Sequence, residues 1–168
     1  VYNPAQFRDY IHIGKMDYLY DKVDLYDTLK HVMQGYGSTD NITPIQSRLA
    51  DIEHHMLHFL ENHDEQRLAS PEFAGDAQMG KPAMVVSATI SSSPTMIYFG
   101  QEVGEAGTLN SGFGSHSRTT IFDYAGVPNH QRWMNGGKFD GGQLTEEEKG
   151  LRDFYSRLLN FTLNSSAL

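Results

Sequence analysis

Cysteine is absent from the 168 residues, which excludes disulfides and every thiolate-based chemistry. That absence does not fix the compartment, because a chain of this length buries enough core to fold without staples. Long apolar runs are missing as well. Nothing approaches the roughly 18 residues that a membrane helix needs, so no membrane partner is expected. The opening Val1-Tyr2-Asn3-Pro4 has no basic lead-in, so no signal peptide is expected in this segment of a soluble chain. Basic residues are in deficit: 13 Lys and Arg face 21 Asp and Glu, for a formal charge of −8. That balance argues against nucleic acid as a partner and suits a neutral ligand, which needs no charge steering. Internal repeats and low-complexity segments are also lacking. Sequons at Asn41, Asn160 and Asn164 are close to what chance gives in this composition.

What the chain does contain is an alternation of short strand-like and longer helix-like stretches. Met16-Asp17-Tyr18-Leu19-Tyr20 is short and aromatic and reads as a strand. A helix is predicted next, with Leu25, Leu29, Val32 and Met33 on one face, Asp24 as cap and Gly35 at the C′ position. Thr43-Pro44 reads as N-cap and N1 of a second helix carrying Ile45, Leu49, Ile52 and Met56. Met56 to Leu60 reads as the next strand. Pro82 to Ile90 is apolar nearly all round, as a buried helix is. Thr95-Met96-Ile97-Tyr98-Phe99 is a compact strand ended by Gly100. A Gly- and Ser-rich stretch from Gly104 to Gly142 follows, too long for a plain connection. Thr145 and Glu148 then form a capping box before the stripe Leu151, Phe154, Tyr155, Leu158 and Leu159. The alternation predicts an α/β fold with parallel strands and helices packed outside them.

The densest chemistry is Glu61-Asn62-His63-Asp64-Glu65-Gln66-Arg67, directly after an apolar strand. Parallel α/β sheets place their sites at such carboxyl ends. Asp64 could stabilise a cationic transition state while His63 donates to a ligand hydroxyl, and Arg67 could keep a neighbouring carboxylate ionised. A plain solvated charged loop is the competing reading, and composition alone favours it.

Phe59-Leu60-Glu61-Asn62-His63-Asp64 resembles the F-x-x-N-H-D motif that ends the seventh barrel strand of the α-amylase family of retaining glycoside hydrolases, glycoside hydrolase family 13. Pro94 to Glu102 is similar to that family's G-x-P-x-I-Y-Y-G-x-E eighth strand, with Ser92 for Gly and Phe99 for the second Tyr. Arg118-Thr119-Thr120-Ile121-Phe122-Asp123 resembles R-x-P-M-x-W-D, with Phe122 for Trp. All three stand in the family's order and spacing, so the resemblance covers essentially the whole chain. It implies a partial TIM (β/α)8 barrel, about strands six to eight with their helices. It implies Asp64 as the transition-state-stabilising carboxylate and His63 as the sugar-binding group. Asn62 and Arg67 are further substrate-binding candidates, and so is Tyr20 at the presumed end of the first strand. The implied partner is an oligo- or polysaccharide of the α-glucan type.

A retaining glycosidase also needs a nucleophile and an acid/base carboxylate roughly 5 Å apart. The family's G-x-R-x-D-x-x-x-H nucleophile motif is not found here, nor is its strand-five Glu. Val1-Tyr2-Asn3-Pro4 resembles the segment after that Glu, so the chain reads as beginning past the acid and ending before the family's C-terminal β-domain. The single partial domain over 1–168 is expected to be inactive alone and to self-associate through its open barrel edge. No organic cofactor is implied; any calcium belongs to the parent protein. A non-catalytic carbohydrate-binding or scaffold module is the alternative, and a Glu immediately upstream of Val1 would decide for the enzyme.

Other clusters are read more plainly. His54, His55, His58 and His63 are taken as surface or packing histidines, since a strand from Met56 breaks the i, i+4 alignment of His54 with His58. Gly112-Phe113-Gly114 is too short for a nucleotide fingerprint. Trp133, Phe122, Tyr124 and Phe139 could stack on sugar or pack the loop. Tyr18 is expected to fill a barrel layer, and Asp21 stays open between cleft and packing.

Overall fold

A computed structural model describes residues 2–107, 118–119 and 126–167. In chain order these form α1 (Phe7–His12), β1 (Leu19–Tyr20), a wide helical turn (Lys22–Tyr26) running into α2 (Asp27–Met33), and α3 (Ile42–Leu49). Then come β2 (Met56–Phe59), α4 (Lys81–Thr89), β3 (Thr95–Met96), α5 (Pro128–Met134) and α6 (Glu146–Asn164). The three strands make one parallel sheet in the order β1-β2-β3, with Leu19 opposite Met56 and His58 opposite Thr95. Parallel neighbours need crossovers. Here α2 and α3 return the chain from β1 to β2, and α4 returns it from β2 to β3. The α/β class expected from the alternation is the class observed.

The strands are shorter than their apolar runs. Of Met16 to Tyr20 only Leu19 and Tyr20 pair, and the Met16 N–H goes back to the Tyr10 carbonyl instead. Tyr18, expected in a packed layer, is 57% exposed. Of Thr95 to Phe99 only Thr95 and Met96 pair. Beyond them the Tyr98 N–H turns to the Gln101 side chain and the Phe99 carbonyl accepts from Arg67. Backbone groups captured by side chains cannot extend a ladder.

Two helix starts also differ from expectation. Asp21, not Asp24, caps the turn after β1, its Oδ1 accepting from the Leu25 N–H at 2.9 Å. Asp24 is drawn away by an ion pair with Arg48. Thr43 and Pro44 lie inside the first turn of α3, which begins at Ile42 behind a tight turn capped by the Ser38 side chain. Gly35 does close α2 in the left-handed region, at φ 86°. The Thr145–Glu148 capping box is formed in full. Within the long stretch from Gly104 to Gly142 stands α5, which was not foreseen. Pro128 opens it, where a missing N–H is harmless, and Asn135 at φ 46° ends it. Gly112, Phe113, Gly114, Phe122, Asp123 and Tyr124 lie outside the described residues.

The main core joins Leu25, Tyr26, Phe59, Leu60, Phe73, Met84, Leu151 and Tyr155. Phe59 stacks on Tyr26 at 4.8 Å and 8° and meets Tyr20 edge-on at 4.9 Å. Such ring pairs add about 1 kcal/mol to their burial. A second cluster, Phe7, Ile11, Ile45, Leu49, Ile52 and Met56, seats α1 and α3 at the amino ends of the strands. On α4 the buried residues are Ala83, Met84, Ser87 and Ala88, while Val85 is 39% exposed, so its apolar sequence is buried on one side only. Among the described residues no helix is long and apolar enough to cross a membrane.

Where β1 ends, Asp21 and His58 are buried together, with Asp21 Oδ2 at 3.7 Å from His58 Nε2. His58 Nδ1 faces the Ser87 carbonyl at 3.0 Å, which ties β2 to α4. Burial pushes the Asp21 carboxyl from 3.8 up to about 6 against the pull of the Leu25 N–H. Burial pushes His58 down. The folded chain therefore holds the Asp21 proton more tightly than the unfolded chain does. That contribution is complete below the unfolded value near 3.8 and lost as pH rises through about 6. It amounts to about 3 kcal/mol. Asp21→Asn keeps the cap and stays neutral, so its melting temperature should gain on the parent as pH rises between these values and hold a constant lead above. Thermal denaturation across that range checks this, and parallel profiles would refute it.

Candidate functional site

The loop Glu61 to Arg67 leaves the carboxyl end of β2, the central strand, and is fastened from inside. Asn62 is 6% exposed and its Oδ1 accepts from the N–H groups of Asp64 and Glu65, at 2.8 and 2.9 Å. A side chain closing on its own backbone in this way fixes a tight turn. Asn62, expected among the substrate contacts, thus shapes the loop through its Oδ1.

Glu61 and Arg67 anchor the two ends of the loop. Both are buried, at 1% and 0% exposure, with Arg67 Nη1 donating to Glu61 Oε2 at 2.7 Å. The other Glu61 oxygen accepts from the Leu68 N–H at 2.8 Å. Arg67 also donates to the Phe99 carbonyl and to Thr119 Oγ1, each at 2.8 Å. Its guanidinium carbon stands 4.5 Å from the Tyr98 ring and 5.1 Å from that of Phe99. Burial raises the Glu61 carboxyl above its ordinary range, and the Arg67 charge opposes the rise. Arg67, expected among the substrate contacts, thus braces the loop from inside through Nε and Nη1, while its Nη2 has no hydrogen-bond partner among the described residues.

The far side of the loop is tied to the α2 region. Tyr26 donates to Glu65 Oε2 at 3.1 Å, Lys22 stands 3.4 Å from Glu65 Oε1, and Lys30 donates to Gln66 Oε1 at 2.6 Å. Burial, then the nearby Glu65 charge, drives the Tyr26 hydroxyl upward, so it remains a donor.

His63 and Asp64 are what this fastening leaves open. Their side chains are 41% and 57% exposed, and His63 Nε2 lies 3.5 Å from Asp64 Oδ2. Arg118 reaches across to donate to the Asp64 carbonyl at 2.7 Å. Thr119 beside it is doubly held, since Tyr98 also donates to its carbonyl at 2.9 Å. The structure thus brings Phe99 of the second motif segment, and Arg118 and Thr119 of the third, onto the first. Tyr20, also expected among the substrate contacts, is half-buried, its hydroxyl 3.6 Å from Met96 Sδ and its ring against Phe59.

Sequence reasoning missed Lys22, Lys30 and Thr119 as supports and took Glu61 as one more charge in a crowd. The signal for Glu61 was its place directly after a buried apolar strand, where an acid needs a partner. The histidines do not share one helix face: the helical turn at Glu53–His55 stops before β2 begins at Met56. His55 faces the Asp17 carbonyl at 2.8 Å. Among the described residues no group of three or more His, Asp or Glu is placed to hold a metal ion.

Breaking the anchor should cost far more than removing it whole. Arg67→Ala leaves Glu61 buried without its cation and should destabilise by about 3–5 kcal/mol. Glu61→Leu with Arg67→Met should recover most of that loss. Urea denaturation of the single and double variants measures the coupling; additive losses would contradict a buried, mutually dependent pair.

Compared with known proteins, the chain matches no family model, no curated protein and no solved structure.

Proposed function

We propose that this chain is the part of a retaining α-glucan-active glycoside hydrolase or transglycosylase of the α-amylase type that carries the substrate-binding His63 and the charge-stabilising Asp64. The observation that carries this reading is selective presentation. Glu61, Asn62, Glu65 and Arg67 commit polar groups to the protein, while His63 and Asp64 stay open beyond the end of a central parallel strand. In this reading the sheet β1-β2-β3 is the strand-six-to-eight portion of a (β/α)8 barrel, whose sites lie at the carboxyl ends of the strands.

The chemistry follows from charge. Cleavage of a glucosidic bond builds positive charge at the anomeric carbon, and a fixed carboxylate such as Asp64 lowers the energy of that state more than that of the substrate. An imidazole beside it donates to a ring hydroxyl and orients the sugar. Nucleophilic attack and protonation of the leaving oxygen need two further carboxylates. Glu61 is held by Arg67, and Glu65 by Tyr26 and Lys22, so neither is free for those roles.

That engagement favours a second reading, in which these residues serve as a carbohydrate-binding or scaffold module. The two readings differ upstream of Val1. A Glu immediately before it and a G-x-R-x-D segment further upstream would support the enzyme, and their absence from the full coding sequence would support the module.

By itself the 168-residue chain is expected to bind maltoheptaose and to release no reducing sugar. His63→Ala and Asp64→Asn should each weaken binding about tenfold or more, as loss of a charge-assisted hydrogen bond does. Calorimetry and a reducing-end assay test this. Turnover free of contaminating amylase would overturn the division of roles, and unchanged affinity in both variants would overturn the site.

The same reading predicts self-association. β1 and β3 each have a strand neighbour on one side only among the described residues, and unpaired strand edges recruit partners. Sedimentation should show mass rising with concentration; a concentration-independent monomer would count against an open barrel edge.

A further inference from the structure

We infer a second saccharide-binding site, built around Trp133 and lying outside the His63–Asp64 loop. A surface pocket of about 300 Å³ opens between α6 and the turn that follows α5, lined in part by Trp133, Asp140, Lys149, Arg152, Asp153 and Ser156. The pocket's chemistry is argued from these side chains and does not depend on the reading given for Asp64.

The turn is built on left-handed backbone. Asn135 at φ 46° and Phe139 at φ 56° both occupy the left-handed region. For a bulky ring such a conformation is an outlier, and strain of this kind collects at binding sites. Hydrogen bonds enforce it: the Phe139 N–H donates to the Met134 carbonyl, and the Gly141 N–H to the Trp133 carbonyl, each at 3.0 Å. Asp140 Oδ1 accepts from Asn135 Nδ2 and from the Gly142 N–H, at 2.8 and 2.9 Å. Those two bonds hold the Asp140 carboxyl below its usual range, so it is a fixed acceptor at neutral pH. The strained turn leaves Phe139 57% exposed, its ring 5.9 Å from that of Trp133. That ring borders the pocket through Trp133 and is not part of its lining.

Trp133 is half-buried and steadied by His130, stacked at 5.6 Å and 29°. The Arg152 guanidinium carbon stands 5.6 Å from the indole centroid. Arg152 is exposed, so its head can leave the ring at small cost and donate to a ligand settling there.

The lining selects the ligand class. Asp140 and Asp153 balance Lys149 and Arg152 in formal charge, and the ion pairs of Lys149 with Glu146 and of Asp153 with Arg157 keep that balance, so the pocket does not favour an ion of either sign. It offers donors and acceptors side by side next to an indole. A hydroxyl group uses both, and the C–H face of a pyranose matches an aromatic ring. A neutral oligosaccharide fits this combination; a nucleotide or an acidic sugar gains nothing from it.

Trp133 is the only tryptophan in the sequence, so its emission reports on this pocket. The full chain is titrated with maltoheptaose, cellohexaose and xylohexaose while tryptophan fluorescence is followed. A saturable change with at least one of them is expected, and it should persist in the His63→Ala/Asp64→Asn double variant. Arg152→Ala and Asp153→Ala, both at exposed positions lining the pocket, should each shift the midpoint about tenfold. A response to cellohexaose or xylohexaose alone would support the pocket and leave the reading of the Asp64 loop as it stands. No saturable change with any of the three would overturn the inference. So would a midpoint unchanged in both pocket variants, loss of the response in the His63/Asp64 variant, or a stronger response to an oligogalacturonate.

Discussion

A buried arginine governs the architecture around the loop. Arg67 has no solvent exposure, yet its guanidinium meets the end of β2 through Glu61, the turn after β3 through Phe99, and the returning segment through Thr119. Placing a charge there carries a desolvation penalty of several kcal/mol, repaid only when geometry and hydrogen bonding are nearly complete. The surroundings must therefore be arranged to suit Arg67. The early end of β3 at Met96 follows in part from this demand, since the Phe99 carbonyl is required elsewhere.

Around that anchor the loop separates supporting groups from presented ones. Asn62 sets the turn, and Glu65 and Gln66 lash it to the α2 region. Two side chains are left outward, backed by a backbone fixed from three directions. Backbone entropy is removed before any ligand arrives, so less has to be lost on binding. An apex on a rigid base is suited to stabilising a short-lived charge, which requires dipoles and charges already in place. The turn carrying Phe139 follows the same logic with different means, using left-handed backbone where the loop uses an ion pair.

Much of this was legible in the amino-acid order, and the exceptions share a cause. The α/β alternation, the capping box at Thr145, Gly35 at a helix end and the strand beginning at Met56 depend on local periodicity and on single-residue stereochemistry. These signals are complete within a few residues. The strand lengths were not legible, because pairing beyond Tyr20 and Met96 is decided by distant side chains that claim the backbone. Asp21 displaced Asp24 as a cap because Arg48, two dozen residues away, attracts the latter. Asn62, His63, Asp64 and Arg67 stood out as a group, but their different tasks depend on burial. Composition shows Glu61 and Arg67 as charged residues on a loop; only the packing of Tyr98, Phe99 and Thr119 makes them interior.

The Glu61–Arg67 pair also constrains how this sequence can drift. Either residue changed alone leaves its partner charged in the interior, so each single step passes through a chain with much of its margin of stability removed. Positions 61 and 67 should consequently be inherited as a unit, both ionic or both apolar, with mixed combinations rare. His63 and Asp64, which share no such dependence with the interior, are free to be lost or altered without unfolding the chain. A lineage could thus change both apex residues and still retain the arginine beneath them, leaving the same scaffold under a different surface.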